Sequence, residues 1–104
     1  MGENERGVMK YKEEKVSYIE LLNKALAPMV NFGNLQYKQV VNTGAEYLKL
    51  LDSVGTAYFL DITGFDNEQI LIDVFAVAIG NTPASVITDI EKRRQLMILF
   101  MEDQ

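Results

Sequence analysis

Neither histidine nor cysteine occurs in the 104 residues. That removes the usual general base near neutral pH, the thiolate nucleophile and the ligands of ordinary structural zinc sites. What remains with chemical potential is a set of carboxylates, one basic triplet and a few glycines. Asp61 lies in the apolar segment TAYFLDIT, and Asp73 is the single polar residue between Ile70 and Ile79. These two acids are the ones expected to be buried, and buried acids have perturbed pKa values that sometimes mark active sites. Two aspartates without a metal-ligand motif specify no reaction, however, and no serine or threonine has a lysine or carboxylate helper at a telling spacing. The chain is therefore read as a non-enzyme, with no catalytic residue, no metal and no cofactor. Gly44, Gly55, Gly64 and Gly80 stand singly, with no Gly-rich loop followed by Lys that could cradle a phosphate, and read as boundaries or weak points of helices.

The charges are unevenly placed. The formal net charge is −5, and acidic and basic residues balance in residues 1–54 and again in 91–104. The whole imbalance lies in residues 55–90, where Asp61, Asp66, Glu68, Asp73 and Asp89 meet no Lys or Arg. Such a segment repels nucleic acid phosphates and attracts basic surfaces, although carboxylates near helix starts also serve as caps. Lys92-Arg93-Arg94 is a basic cluster that follows Gly80-Asn81-Thr82-Pro83. That arrangement invites comparison with the second helix of a helix-turn-helix. The acidic segment upstream and the apolar one downstream weigh against it, because a DNA reader needs more basic side chains to hold the backbone. DNA binding is kept as an alternative function, and pairing with nearby aspartates or contact with a partner protein as the expected role of the triplet.

The elements that must position these residues are read as helices. Val16, Ile19, Leu22 and Leu26 recur at helical spacing from Tyr11 onward, and Pro28 should end that helix. Residues 1–10 lack apolar periodicity and are read as a mobile tail. Met9 could serve as a second start. Asn31-Phe32-Gly33-Asn34 is a turn signature. Tyr37, Val41, Gly44, Leu48 and Leu51 then trace a line compatible with one long helix weakened at Gly44. The alternative weighed is a strand from Leu35 to Val41, then a helix opened by the capping box Thr43-x-x-Glu46. Thr56–Thr63 has β-branched and aromatic residues but no evident pairing partner, and is read as a short buried helix. Asp66 with Gln69 marks another helix start, Gly80 its end, and Thr82-Pro83 the start of a last helix running to about Met101.

The expected fold is all-α: a small bundle of four main helices plus one short segment, with residues 11–104 as a single helical domain. Hydrophobic residues make up 48% and charged residues 24%, which is a globular balance. The charged N-terminus and the absence of a long apolar run make the cytoplasm the simplest address, with no membrane partner. The last two helices are apolar nearly all round, and a helix of that kind needs cover on most sides. A second copy of the chain supplies it most economically, so a homodimer is expected, with Phe75, Leu96, Leu99 and Phe100 at its contact. The run Leu96–Met101 also suits a recognition face, since methionines adapt to irregular surfaces. The function expected is that of a protein–protein interaction module, an adaptor or stoichiometric inhibitor. Its partner would contact an acidic or apolar surface, with Asp61, Asp66, Glu68, Asp73, Lys92, Arg93 and Arg94 as candidate contacts. A small-ligand binder, with its pocket between helices, is a further alternative.

Overall fold

The computed structural model describes the backbone of residues 2–102 and the side chains of residues 14–102. The chain order is α1 (Gly2–Leu26), β1 (Phe32–Gln39), β2 (Glu46–Asp52), β3 (Ala57–Asp61), α2 (Asn67–Ala78) and α3 (Ile90–Met101). The fold is thus mixed α/β, and the expected all-α helical bundle is overturned by a three-stranded antiparallel sheet of order β1-β2-β3. The helical backbone of α1 begins at Gly2, nine residues before the apolar periodicity does, and stops at Leu26, ahead of Pro28.

The long helix expected across Asn34–Leu51 is instead a hairpin. Leu35 pairs with Leu50, Tyr37 with Leu48 and Gln39 with Glu46. The turn between them is closed by the Val40 amide on the Ala45 carbonyl at 2.8 Å and the Gly44 amide on the Val40 carbonyl at 2.7 Å. Gly44 sits there at φ 73°, a left-handed conformation that disfavours any residue with a Cβ. Of the alternatives, the strand beginning at Leu35 is close to what forms, while the capping box at Thr43 opens β2 rather than a helix.

Thr56–Thr63 is not a helix either: Ala57–Asp61 is β3, paired with β2 from Tyr47↔Asp61 to Leu51↔Ala57. Asp52 shapes the connecting turn, its carboxylate accepting from the Val54 and Thr56 amides at 3.0 and 2.8 Å. Both outer strands of the sheet are occupied in part. On β1, the Asn23 side chain of α1 mimics a neighbouring strand, donating to the Leu35 carbonyl (3.0 Å) and accepting from its amide (2.7 Å). On β3, the extended segment before α3 supplies two bonds, Asp61 amide to Ser85 carbonyl and Ile87 amide to Phe59 carbonyl, both 2.8 Å. That segment replaces the first turns of the helix expected to start at Pro83. Covering edges in this way limits pairing with foreign strands.

Alternate residues of the strands point to opposite faces, and both faces are covered. Leu35, Leu48, Leu50, Leu60 and Ile62 join Ile19, Leu22 and Leu26 of α1 and Ile70 and Val74 of α2 in the larger core. Tyr47 and Phe59, on the other face, join Leu96 and Phe100 of α3. The rings of Phe59 and Phe100 lie 5.8 Å apart and tilted by 45°. Each fully buried Leu, Ile or Phe stabilises the fold by about 1.5–3 kcal/mol. Tyr18 packs at the margin of the larger core, where burial raises the pKa of its phenol above the ordinary value.

Candidate interaction surface

Asp66 and Asp89 cap α2 and α3. The Asp66 carboxylate accepts from the Gln69 amide and the Asp89 carboxylate from the Lys92 amide, each at 2.8 Å. The Asp66 start and the Gly80 stop of α2 lie where the sequence places them. Gly80, at φ 93°, follows the last turn, and the Asn81 amide donates to the Ala76 carbonyl at 2.8 Å. The last helix starts seven residues later than expected, at Asp89 rather than at Thr82-Pro83.

Of the two aspartates expected to be buried, Asp73 is and Asp61 is not. Asp73 accepts from the Gln69 side-chain amide at 2.7 Å and from the Ser85 hydroxyl. It thereby ties α2 to the segment that covers β3. Asp61 turns back on its own chain, accepting from the Thr63 hydroxyl at 2.6 Å and the Thr63 amide at 3.1 Å. The two carboxylates do not form a pair. Among the described residues no group of three or more acidic side chains is placed to hold a metal ion.

Two further charged residues are buried, Lys15, which sequence patterning did not single out, and Glu46, which it read as the second member of a capping box. Glu46 accepts from the Tyr37 hydroxyl at 2.7 Å and from the Gly64 amide at 3.0 Å. Lys15 donates to the Phe65 carbonyl at 2.8 Å. The two opposite charges thus hold consecutive residues of the turn into α2, fixing that helix against α1 and the sheet. Among the described residues, every buried side-chain nitrogen or oxygen has a hydrogen-bond partner. The signal in sequence was slight, since Lys15 looks like an ordinary surface charge, and Glu46 like a capping residue, until the strand pairing is known.

The basic triplet is divided by its helix. The Lys92 ammonium sits 5.2 Å from the centre of the Tyr47 ring, a cation–π contact that draws it back onto the sheet. Arg94 reaches Glu91 at 3.2 Å on the surface. Arg93 is exposed and lines a shallow cleft beside Phe59, Val86 and Ile87. Three side chains pointing to three environments do not make one basic patch.

The apolar residues divide as sharply. Leu96 and Phe100, expected at a self-contact, are 3% and 4% exposed and belong to the core beneath α3, with Leu99 packed against it. Phe75, by contrast, faces outward. On α2 the inward side is Ile70, Asp73, Val74 and Ala78, leaving Leu71, Ile72, Phe75 and Ile79 on the opposite side at 40–54% exposure. On α3 the outward side carries Met97, Ile98 and Met101 at 52–66%. These are two apolar stripes, one on the helix layer of each sheet face. A cleft of about 250 Å³ lies between α1 and β1, lined by Val16, Ile19, Asn23, Tyr37 and Phe100 among others, and a wider, more open one of about 540 Å³ lies at the start of α2 beside Lys15, Phe65 and Glu68. Among the described residues no helix is long and apolar enough to cross a membrane. Comparison with protein-family models, with curated proteins and with solved structures found no match for this chain.

Proposed function

We propose that this chain is a non-enzymatic protein–protein interaction module, an adaptor or stoichiometric inhibitor that engages another protein through the outer side of α3. The observation that carries this reading is the two-sidedness of that helix. Its inner side is filled by Leu96 and Phe100, yet Met97, Ile98 and Met101 stand more than half exposed on the outer side. A surface helix of a self-sufficient domain keeps polar residues there. Methionine and isoleucine in a row offer adaptable apolar contact. Arg94 lies one turn N-terminal on the same side, held only by an exposed pair with Glu91 that contributes little and exchanges readily. The partner that fits is an apolar surface or amphipathic segment carrying acidic residues at its rim. In the acidic segment Asp61, Asp66, Asp73 and Asp89 are engaged in a turn, two caps and an internal hydrogen-bond pair, so the apolar stripe, rather than the acidic segment, is the contact.

The test is quantitative affinity capture from the source cell with the intact chain and with Ile98→Glu, compared by mass spectrometry. One protein recovered at fixed stoichiometry with the intact chain, and reduced at least about 30-fold with the variant, is the expected result. Equal recovery with both, while circular dichroism shows both folded, would remove α3 as the contact.

A further inference from the structure

We infer that the outward face of α2 is a self-association surface, on which a second copy of this chain packs its own α2 antiparallel about a two-fold axis near Phe75. This inference concerns the sheet face opposite α3. It shares with the reading above only the premise that the chain works through its surfaces, and the two are tested by different variants.

The face is built for a helix partner. Leu71, Ile72, Phe75 and Ile79 recur at three and four residues, so they form one stripe along the helix. The opposite side of the same helix is already buried on the sheet through Ile70, Val74 and Ala78. At 40–54% exposure, the four residues offer roughly 340 Å² of mostly apolar surface, at the scale where patches on monomers become functional. A specific dimer buries roughly 600–800 Å² on each partner, of which roughly 56–65% is apolar. The stripe therefore supplies the apolar centre of an interface of ordinary size. Glu68, Asn81 and Thr82, all exposed at the two ends of the helix, supply its rim.

The pattern is self-complementary in one orientation. About a two-fold axis at Phe75, Leu71 of one copy meets Ile79 of the other, and the two Phe75 rings meet at the centre. Glu68, the one charge on the exposed side of α2, then falls beside the uncharged Asn81 and Thr82 of the other copy. A parallel pair would instead bring the two Glu68 side chains and the two like helix ends together, which costs energy. Isologous contact of this kind, where residue i meets j and j meets i, is the commonest way for chains to pair.

Light scattering coupled to gel filtration over a dilution series tests the assembly. The intact chain is expected at twice its 11.8 kDa, and Ile72→Glu/Ile79→Glu at 11.8 kDa, with a dissociation constant raised at least about 30-fold. Both substituted positions are more than half exposed, so the variant keeps its fold, which circular dichroism checks. Ile98→Glu, on α3, should remain dimeric. Orientation is read by single cysteines in a chain that has none. Phe75→Cys should form a disulfide-linked dimer under mild oxidation, and Glu68→Cys should not. A monomer of the intact chain at every concentration, a dimer that survives Ile72→Glu/Ile79→Glu, or a dimer abolished equally by Ile98→Glu would each overturn the inference. Efficient crosslinking through Glu68→Cys would overturn the antiparallel arrangement.

Discussion

Asp73 is enclosed by Gln69 from its own helix and Ser85 from the strap along β3, so its removal strips two donors of their acceptor at once. Hydrogen bonds to charged groups contribute about 1.5–3 kcal/mol each, but Gln69 is exposed and Ser85 half-buried, so both donors can turn to water and recover part of the loss. Asp73→Ala should therefore lower the unfolding free energy by about 2–3 kcal/mol. Asp61→Ala, which loses only contacts within an exposed turn, should cost less than about 1 kcal/mol. Urea denaturation followed by circular dichroism separates the two, and similar values for both would contradict the assigned roles. In the sequence the two residues look equivalent, each an acid among apolar neighbours. What distinguishes them is that Asp61 ends an outer strand, while Asp73 faces the segment crossing that strand's edge. That contrast depends on a pairing between residues about 25 apart and has no local signature.

At the level of elements, the helices were legible and the sheet was not, for a physical reason. Strands are recognised by alternation when one face of the sheet meets water, but here α1 and α2 cover one face and α3 part of the other. EYLKLLD and AYFLD therefore lack a clean apolar–polar alternation, and since Leu48 and Leu51 also fit a helical spacing, periodicity alone does not tell these strands from buried helix. With residues 34–51 read as one helix, TAYFLDIT has no neighbouring strand to pair with and so loses its credibility as a strand. The stripes were only half legible in the same way: Ile70–Ile79 and Leu96–Met101 stand out as apolar, but which members turn outward follows from which ones the sheet takes. Gly33 shows how tightly the hairpin register is held. It lies at an irregularity between Phe32 and Asn34, where a Cβ would come within 2.6 Å of the Asp52 carbonyl and 2.9 Å of the Leu51 carbonyl. Both obstacles are backbone and cannot swing aside. Gly33→Ala should thus destabilise the fold by about 1–3 kcal/mol, whereas Asn34→Ala at the neighbouring exposed position should be nearly neutral. Thermal melts of the two variants check this.

For the whole molecule, the two stripes lie on helices that cover opposite faces of one small sheet, and their separation has a consequence for binding. If α2 joins two copies, each assembly presents two α3 stripes, one from each copy, held at a fixed spacing by a packed core rather than a flexible linker. Binding of the second stripe to a partner displayed on a dense surface is then intramolecular, and avidity can exceed the single-site affinity by roughly 10²–10⁴ without any new contact. The dimer should leave a densely coated partner surface at least about 100-fold more slowly than Ile72→Glu/Ile79→Glu. In solution, titration calorimetry should give both proteins the same affinity per chain, because the α3 contact is untouched. Ile98→Glu should weaken binding in both formats while remaining dimeric. This pattern, with the α2 variant separating surface from solution behaviour and the α3 variant lowering both, is what two independent stripes require. A loss of solution affinity in Ile72→Glu/Ile79→Glu would instead show that the partner site spans both helices and that the stripes act as one surface.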